Sequence, residues 1–150
     1  MAKAKPTREQ LLQTKVGNRS LQEWDLRWEP VANALSEKHA ELSGIIGLFR
    51  TVLNGETMYI VCASERRGIE KGLQRMRGKE QTGNKSYGPQ MIRKHRDEIT
   101  VDILRVNDVR VRSNVTKNLK PVMVNLYDPE WNKPHRRRMQ EIRDGIRPPD

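Results

Sequence analysis

The chain has 150 residues, enough for one domain with a real core and too few for two full ones. Lys and Arg number 29 against 19 Asp and Glu, giving +10, a field that favours polyanions and above all nucleic acid. The single cysteine, Cys62, excludes an internal disulfide and a cysteine-rich zinc site, and no apolar run is long enough for a membrane helix, so a cytoplasmic protein without a membrane partner is expected.

Charge is unevenly spread. Residues 1–44 hold 7 basic and 6 acidic side chains, residues 45–132 hold 16 and 10, and residues 133–150 hold 6 and 3. The basic excess therefore begins in the middle of the chain and runs to its end.

In chain order, Thr7 with Gln10 and Ser20 with Glu23 are two capping-box signals for helix starts. Leu21, Trp24, Trp28, Val31 and Leu35 recur at steps of three and four, which predicts a helix to about Trp28 and a second one opening near Pro30. Two tryptophans on one stripe point to a core or subunit contact more than to a base-stacking platform. "GLFRTVLNGETMYIV" is two β-rich runs around Asn54-Gly55, a strong hairpin signal, with apolar residues on both faces, as in strands covered on both sides. Next, Ile69, Leu73 and Met76 form one face of a predicted helix, with Arg67, Lys71 and Arg75 on another; Gly72 weakens it by roughly 1 kcal/mol relative to alanine.

The stretch "GKEQTGNKSYGP" is a loop by composition, and "PQMIRKHRDE" a short helix. Ile99, Val101 and Ile103 alternate as a third strand. Asn107 or Asp108 is placed to cap a helix, and Pro121 to open another. A basic tail with one or two helical turns closes the chain. The order describes an α/β fold: a small three-stranded antiparallel or mixed sheet flanked by helices, with an N-terminal helical arm over 1–43, a central domain over 44–132 and a basic tail over 133–150.

"GLF" and, nine residues later, "YIV" on paired strands, followed by an Arg-rich helix, resemble the GIY-YIG nuclease family. "LKPVMVNLYDPEWNKPHRRR" is similar to the close of its phage endonuclease II branch, so the resemblance covers about 44–138. It implies phosphodiester hydrolysis with one divalent metal, Mg²⁺ or Mn²⁺. A first-strand tyrosine would help deprotonate water, a helix arginine would meet the phosphoryl charge, and a glutamate would hold the metal. A second tyrosine and an asparagine would position the rest.

Carried over, the first tyrosine is Phe49, which has no hydroxyl. Tyr59 and Asn132 match, Val61 stands where the second tripeptide has glycine, the arginine position falls near Gly72, and the glutamate position falls near Leu119. The leading expectation is therefore a nucleic-acid-binding protein, for DNA or RNA, with endonuclease activity lost or altered and then no cofactor. Its contacts would be Arg67, Lys71, Arg75, Lys85, Arg93, Lys94, Arg110, Arg112, Arg136, Arg137 and Arg138. The second reading is an active endonuclease with Tyr59 as base, Arg67 or Arg75 as phosphate clamp and Glu130 as metal ligand. The third is a scaffold that binds and inhibits a cellular (host) protein through the Trp24/Trp28 arm or by mimicking a nuclease partner; a homo-oligomer through the N-terminal arm is a separate expectation.

Overall fold

A computed structural model of the chain describes residues 5–64, 67–78, 86–106 and 112–148, apart from the side chains of 112 and 113. Both capping signals act. The Thr7 N–H donates to Gln10 Oε1 (2.9 Å) and the Gln10 N–H to Thr7 Oγ1 (3.1 Å), opening α1 (Arg8–Gln13). Ser20 and Glu23 repeat the exchange at α2 (Leu21–Asp25), and between the helices β1 (Lys15–Val16) pairs antiparallel with β2 (Arg19–Ser20).

The tryptophan stripe does not continue as helix. α2 stops at Asp25, and the segment expected to be a second helix from Pro30 is instead β3 (Glu29–Val31), an edge strand. A proline lacks the N–H that a central strand would need, and an edge tolerates that loss. The two tryptophans therefore separate. Trp24 is fully buried, donating its Nε1–H to the Val16 carbonyl at 2.9 Å, and offers no surface to a second chain. Trp28 donates to Asp25 Oδ1 and lies beneath the Arg50 guanidinium, 4.5 Å from its ring centre.

The hairpin forms as expected. β4 (Gly47–Leu53) and β5 (Glu56–Ala63) are joined by Asn54 and Gly55, both at positive φ (52° and 79°), the conformation that matches the twist of the flanking strands. β6 (Thr100–Arg105) pairs with the other side of β4, opposing Ile103 to Phe49, and β3 pairs with β6. The sheet thus has four strands, in the order β3-β6-β4-β5, all antiparallel. With the separate β1-β2 ribbon it replaces the three strands anticipated from the pattern.

Both faces of this sheet are covered, as the two-sided apolar strands require. On one, Phe49, Val101 and Ile103 meet Ile69, Leu73 and Met76 of α3 (Gly68–Arg77) and Ile92 of α4 (Tyr87–Lys94). On the other, Leu48, Ile60 and Leu104 meet Leu21, Trp24 and the Val115, Leu119 and Met123 face of α5 (Arg112–Tyr127). Each fully buried aliphatic side chain such as Ile69 or Leu104 contributes roughly 1.5–3 kcal/mol.

Pro121, expected to open a helix, lies inside the 16-residue α5 on its exposed side, where water can solvate the carbonyl that proline leaves unbonded. The proposed caps Asn107 and Asp108 fall outside the described residues. A 3₁₀ turn (Glu130–Asn132) leads to α6 (His135–Arg143), so the tail forms a nine-residue helix. No helix among the described residues is long and apolar enough to cross a membrane.

Candidate nucleic-acid interface

The hairpin register sets the two aromatics. Phe49 opposes Val61, and Thr51 opposes Tyr59, so all four share the face beneath α3 and α4. The pairing then shifts between Thr51 and Val52, a one-residue bulge in β5 beside Tyr59.

Phe49 is fully buried, and its ring lies directly against Gly72 of α3. A Cβ at Gly72 would come within 2.7 Å of Phe49 Cε1. Gly72, read from the sequence as a weak point in a helix, is therefore the residue that lets the helix backbone rest on the ring. Neither a hydroxyl at 49 nor a guanidinium at 72 is present, and the two positions fill one another's space.

Tyr59 is placed differently. Its ring end rests on the first turn of α4, where a Cβ at Gly88 would stand 2.3 Å from Tyr59 Cζ and 2.8 Å from its hydroxyl. That hydroxyl has no hydrogen-bond partner among the described residues, and burial pushes its pKa up, so the phenol keeps its proton and is available as a donor. Asn132 does not turn toward it. The Asn132 side chain accepts from the Ile60 N–H (2.8 Å) and donates to the Ile60 carbonyl (3.0 Å), pinning the 3₁₀ turn along the outer edge of β5.

Glu130, the assigned metal ligand, is held by Lys133 at 2.9 Å and by Arg147, and both cations also contact Glu141. Burial works against charge on Lys133, and its hydrogen bonds to Glu130 and Glu141 outweigh that and raise its pKa. No group of three or more His, Cys, Asp or Glu side chains that could hold a metal occurs among the described residues. The donor set around Glu130 is thus an ion-pair cluster that does not fit a divalent cation, and no step through a metal follows from it.

Beside Tyr59 opens a cleft of about 500 Å³. β5 supplies Tyr59, residues 86–88 and the start of α4 supply one wall, α5 supplies Lys120, and residues 131–135 with Arg138 supply the other. Lys120, Lys133, His135 and Arg138 line it, and no Asp or Glu does among the described residues. Arg138, expected as a nucleic-acid contact on the basic tail, is 7% exposed, with its guanidinium carbon 3.6 Å from the centre of the Tyr87 ring. Behind the wall, Trp131 stacks on His95 at 5.5 Å.

The other basic residues expected to contact nucleic acid divide by place. Arg67 and Arg75 are exposed along α3 and Lys71 is half-buried there; Arg93 is half-buried and Lys94 exposed at the end of α4. Arg136 is exposed at the start of α6, and Arg137 grips Asp128 through two hydrogen bonds of 2.8 and 2.9 Å, which hold that carboxyl below its usual range. Lys85, Arg110 and the Arg112 side chain lie outside the described residues.

Sequence reasoning missed Tyr87, Gly88 and His135 as members of one site. They are remote from Tyr59 in the chain, and the "SYGP" run reads only as a loop and helix start. Comparison of the chain with protein-family models, curated proteins and solved structures finds no match.

Proposed function

We propose that the chain binds nucleic acid, DNA first, on a GIY-YIG-like scaffold that no longer hydrolyses it by the family's chemistry. The observation that carries this reading is the contact of Phe49 with Gly72. The two positions that the resemblance assigns to a general base and a phosphate clamp are packed into each other, leaving no room for a scissile group between them. The strand neighbours accord with the resemblance: a hairpin whose first strand also pairs with the strand that follows two helices. Binding is supported by the basic outer side of α3 and by the cleft beside Tyr59, which no Asp or Glu lines among the described residues. Cations neutralise phosphates and release condensed counterions, so affinity follows salt concentration.

The test has two arms. Binding to duplex and single-stranded DNA is titrated across salt concentrations, with Arg67→Gln and Arg75→Gln each expected to reduce the slope of log K against log salt by about one. Supercoiled plasmid with Mg²⁺ or Mn²⁺ is then scored for nicking beside Tyr59→Phe, with no cleavage expected. Cleavage abolished by Tyr59→Phe would restore the nuclease reading. Absence of salt-dependent binding would redirect the search to a protein partner.

A further inference from the structure

Between β3 and β4 the chain crosses the start of α3, and a 3₁₀ turn (Ala40–Leu42) packs on that helix. Backbone ties fix the crossing. The His39 N–H donates to Glu70 Oε2 at 3.1 Å, the Gly44 N–H to the Arg67 carbonyl at 3.0 Å, and the Ile69 N–H to the Ile45 carbonyl at 2.8 Å. Leu35 and Leu42 anchor the same segment in the core cluster that holds Ile69 and Leu73. A pocket of about 360 Å³ opens between crossing and helix, lined by Lys38 and Ser43 on one side and by Arg67, Lys71 and Gln74 on the other. Glu70, 6% exposed, is the one acid that lines it among the described residues, and Arg77 and the His39 N–H already hold its carboxylate. The side chains of Lys38, Arg67 and Lys71 make no hydrogen bond or ion pair with the described residues.

Three cations thus line one concavity without an anion of their own. Like charges repel, and the backbone ties keep the two sides from drawing apart, so an anion that enters relieves the repulsion. We infer that this pocket seats one phosphate group, held by Lys38 from the crossing and by Arg67 and Lys71 from the helix, with the Ser43 hydroxyl and the Gln74 amide as further donors. The phosphate belongs to a nucleic-acid backbone or is the free ion. The pocket shares no lining residue with the cleft beside Tyr59. As a backbone seat it deepens the nucleic-acid reading and rests on it: a strand following α3 passes onto the segment before β4. Residues 1–44, with 7 basic and 6 acidic side chains, show no such role in their composition. Lys38 acquires it only by being tied beside Arg67 and Lys71.

The experiment titrates a fluorescently labelled DNA duplex by anisotropy across salt concentrations. It compares the native chain, Lys38→Gln, Lys71→Gln and the double variant with Lys15→Gln, an equal change of charge at an exposed residue of β1 outside the pocket. Lys38→Gln and Lys71→Gln should each lower the slope of log K against log salt by about one. The loss of affinity between about 50 and about 200 mM salt then becomes about fourfold smaller. The double variant should also lose about one, because a single phosphate is at stake. A loss of about two would put the lysines on separate phosphates and overturn the seat, as would a Lys15→Gln loss equal to that of Lys38→Gln. In parallel, inorganic phosphate is added and the Ser43 and Gln74 amide signals are followed by NMR. If they shift in the native chain and not in Lys38→Gln, while DNA binding ignores Lys38→Gln, the occupant is the free ion. If no DNA binds and those shifts remain, the nucleic-acid reading fails and the seat stands. DNA binding indifferent to Lys38→Gln, with no phosphate shift, overturns the inference and leaves nucleic-acid binding intact.

Discussion

Phe49 and Tyr59 occupy the same face of one hairpin, on neighbouring strands and two residues apart in register, yet their surroundings differ completely. Phe49 is enclosed by strand and helix, with the α3 backbone at Gly72 against its ring. Tyr59 is supported along one edge by Gly88 and ends in a cleft bordered by cations. In both places a glycine lets a helix approach an aromatic ring. At Gly72 the approach completes a core, whereas at Gly88 it exposes a hydroxyl. The ring at 49 is thus a matter of stability, whereas the ring at 59 carries its hydroxyl to the cleft.

That contrast is most severely tested by paired truncations. Phe49→Ala should cost about 3–5 kcal/mol, read from urea unfolding, because it empties a fully buried ring site. Tyr59→Phe should cost under about 1 kcal/mol, since the hydroxyl it removes has no hydrogen-bond partner among the described residues. Comparable losses would erase the distinction.

Gly72→Ala comes next. The gain in helix propensity, about 1 kcal/mol, is opposed by overpacking against Phe49 of about 1–3 kcal/mol, so a net loss is expected. In the Phe49→Leu background the same change should become neutral or stabilising; a purely additive double mutant would show that the ring and helix do not press on one another. Asn132→Ala should cost about 1–2 kcal/mol through its two bonds to Ile60, without altering the salt slope of nucleic-acid binding.

The smallest effect lies away from both aromatics, at His39. Its hydrogen bond to Glu41 raises its pKa above the ordinary 6.5, against partial burial. A raised folded pKa means stability that is complete below 6.5 and declines as pH climbs through the raised value. His39→Gln should flatten that decline in melting curves taken from pH 6 to 8 and leave the response of either aromatic variant unchanged.

Local chemistry made much of the fold readable. The capping boxes at Thr7 and Ser20, the Asn-Gly turn and the Ile69–Leu73–Met76 face each declare themselves within a few residues, and each forms. What was not readable depends on partners far along the chain. Pro30 resembles a helix opener until β6 is available to pair with its segment, and Gly72 resembles a flaw until Phe49 lies under it. The cleft is the extreme case, since Tyr59, Tyr87, Lys120 and Arg138 share no local pattern and meet only through tertiary packing. The resemblance drew attention to Tyr59 and Asn132 together; the Asn132 carboxamide bonds to Ile60, and the Tyr59 ring borders the cleft.

The attachment of Asn132 to β5 has a consequence beyond holding a turn in place. β5 is a border of the four-stranded sheet, and an uncovered border is a template on which another polypeptide can add itself as a further strand. The carboxamide of Asn132 has the donor and acceptor of a peptide group and presents them at the spacing that Ile60 demands. It acts as a neighbouring strand one residue long. A single side-chain amide thus occupies, at Ile60, the donor and acceptor that an added strand would need.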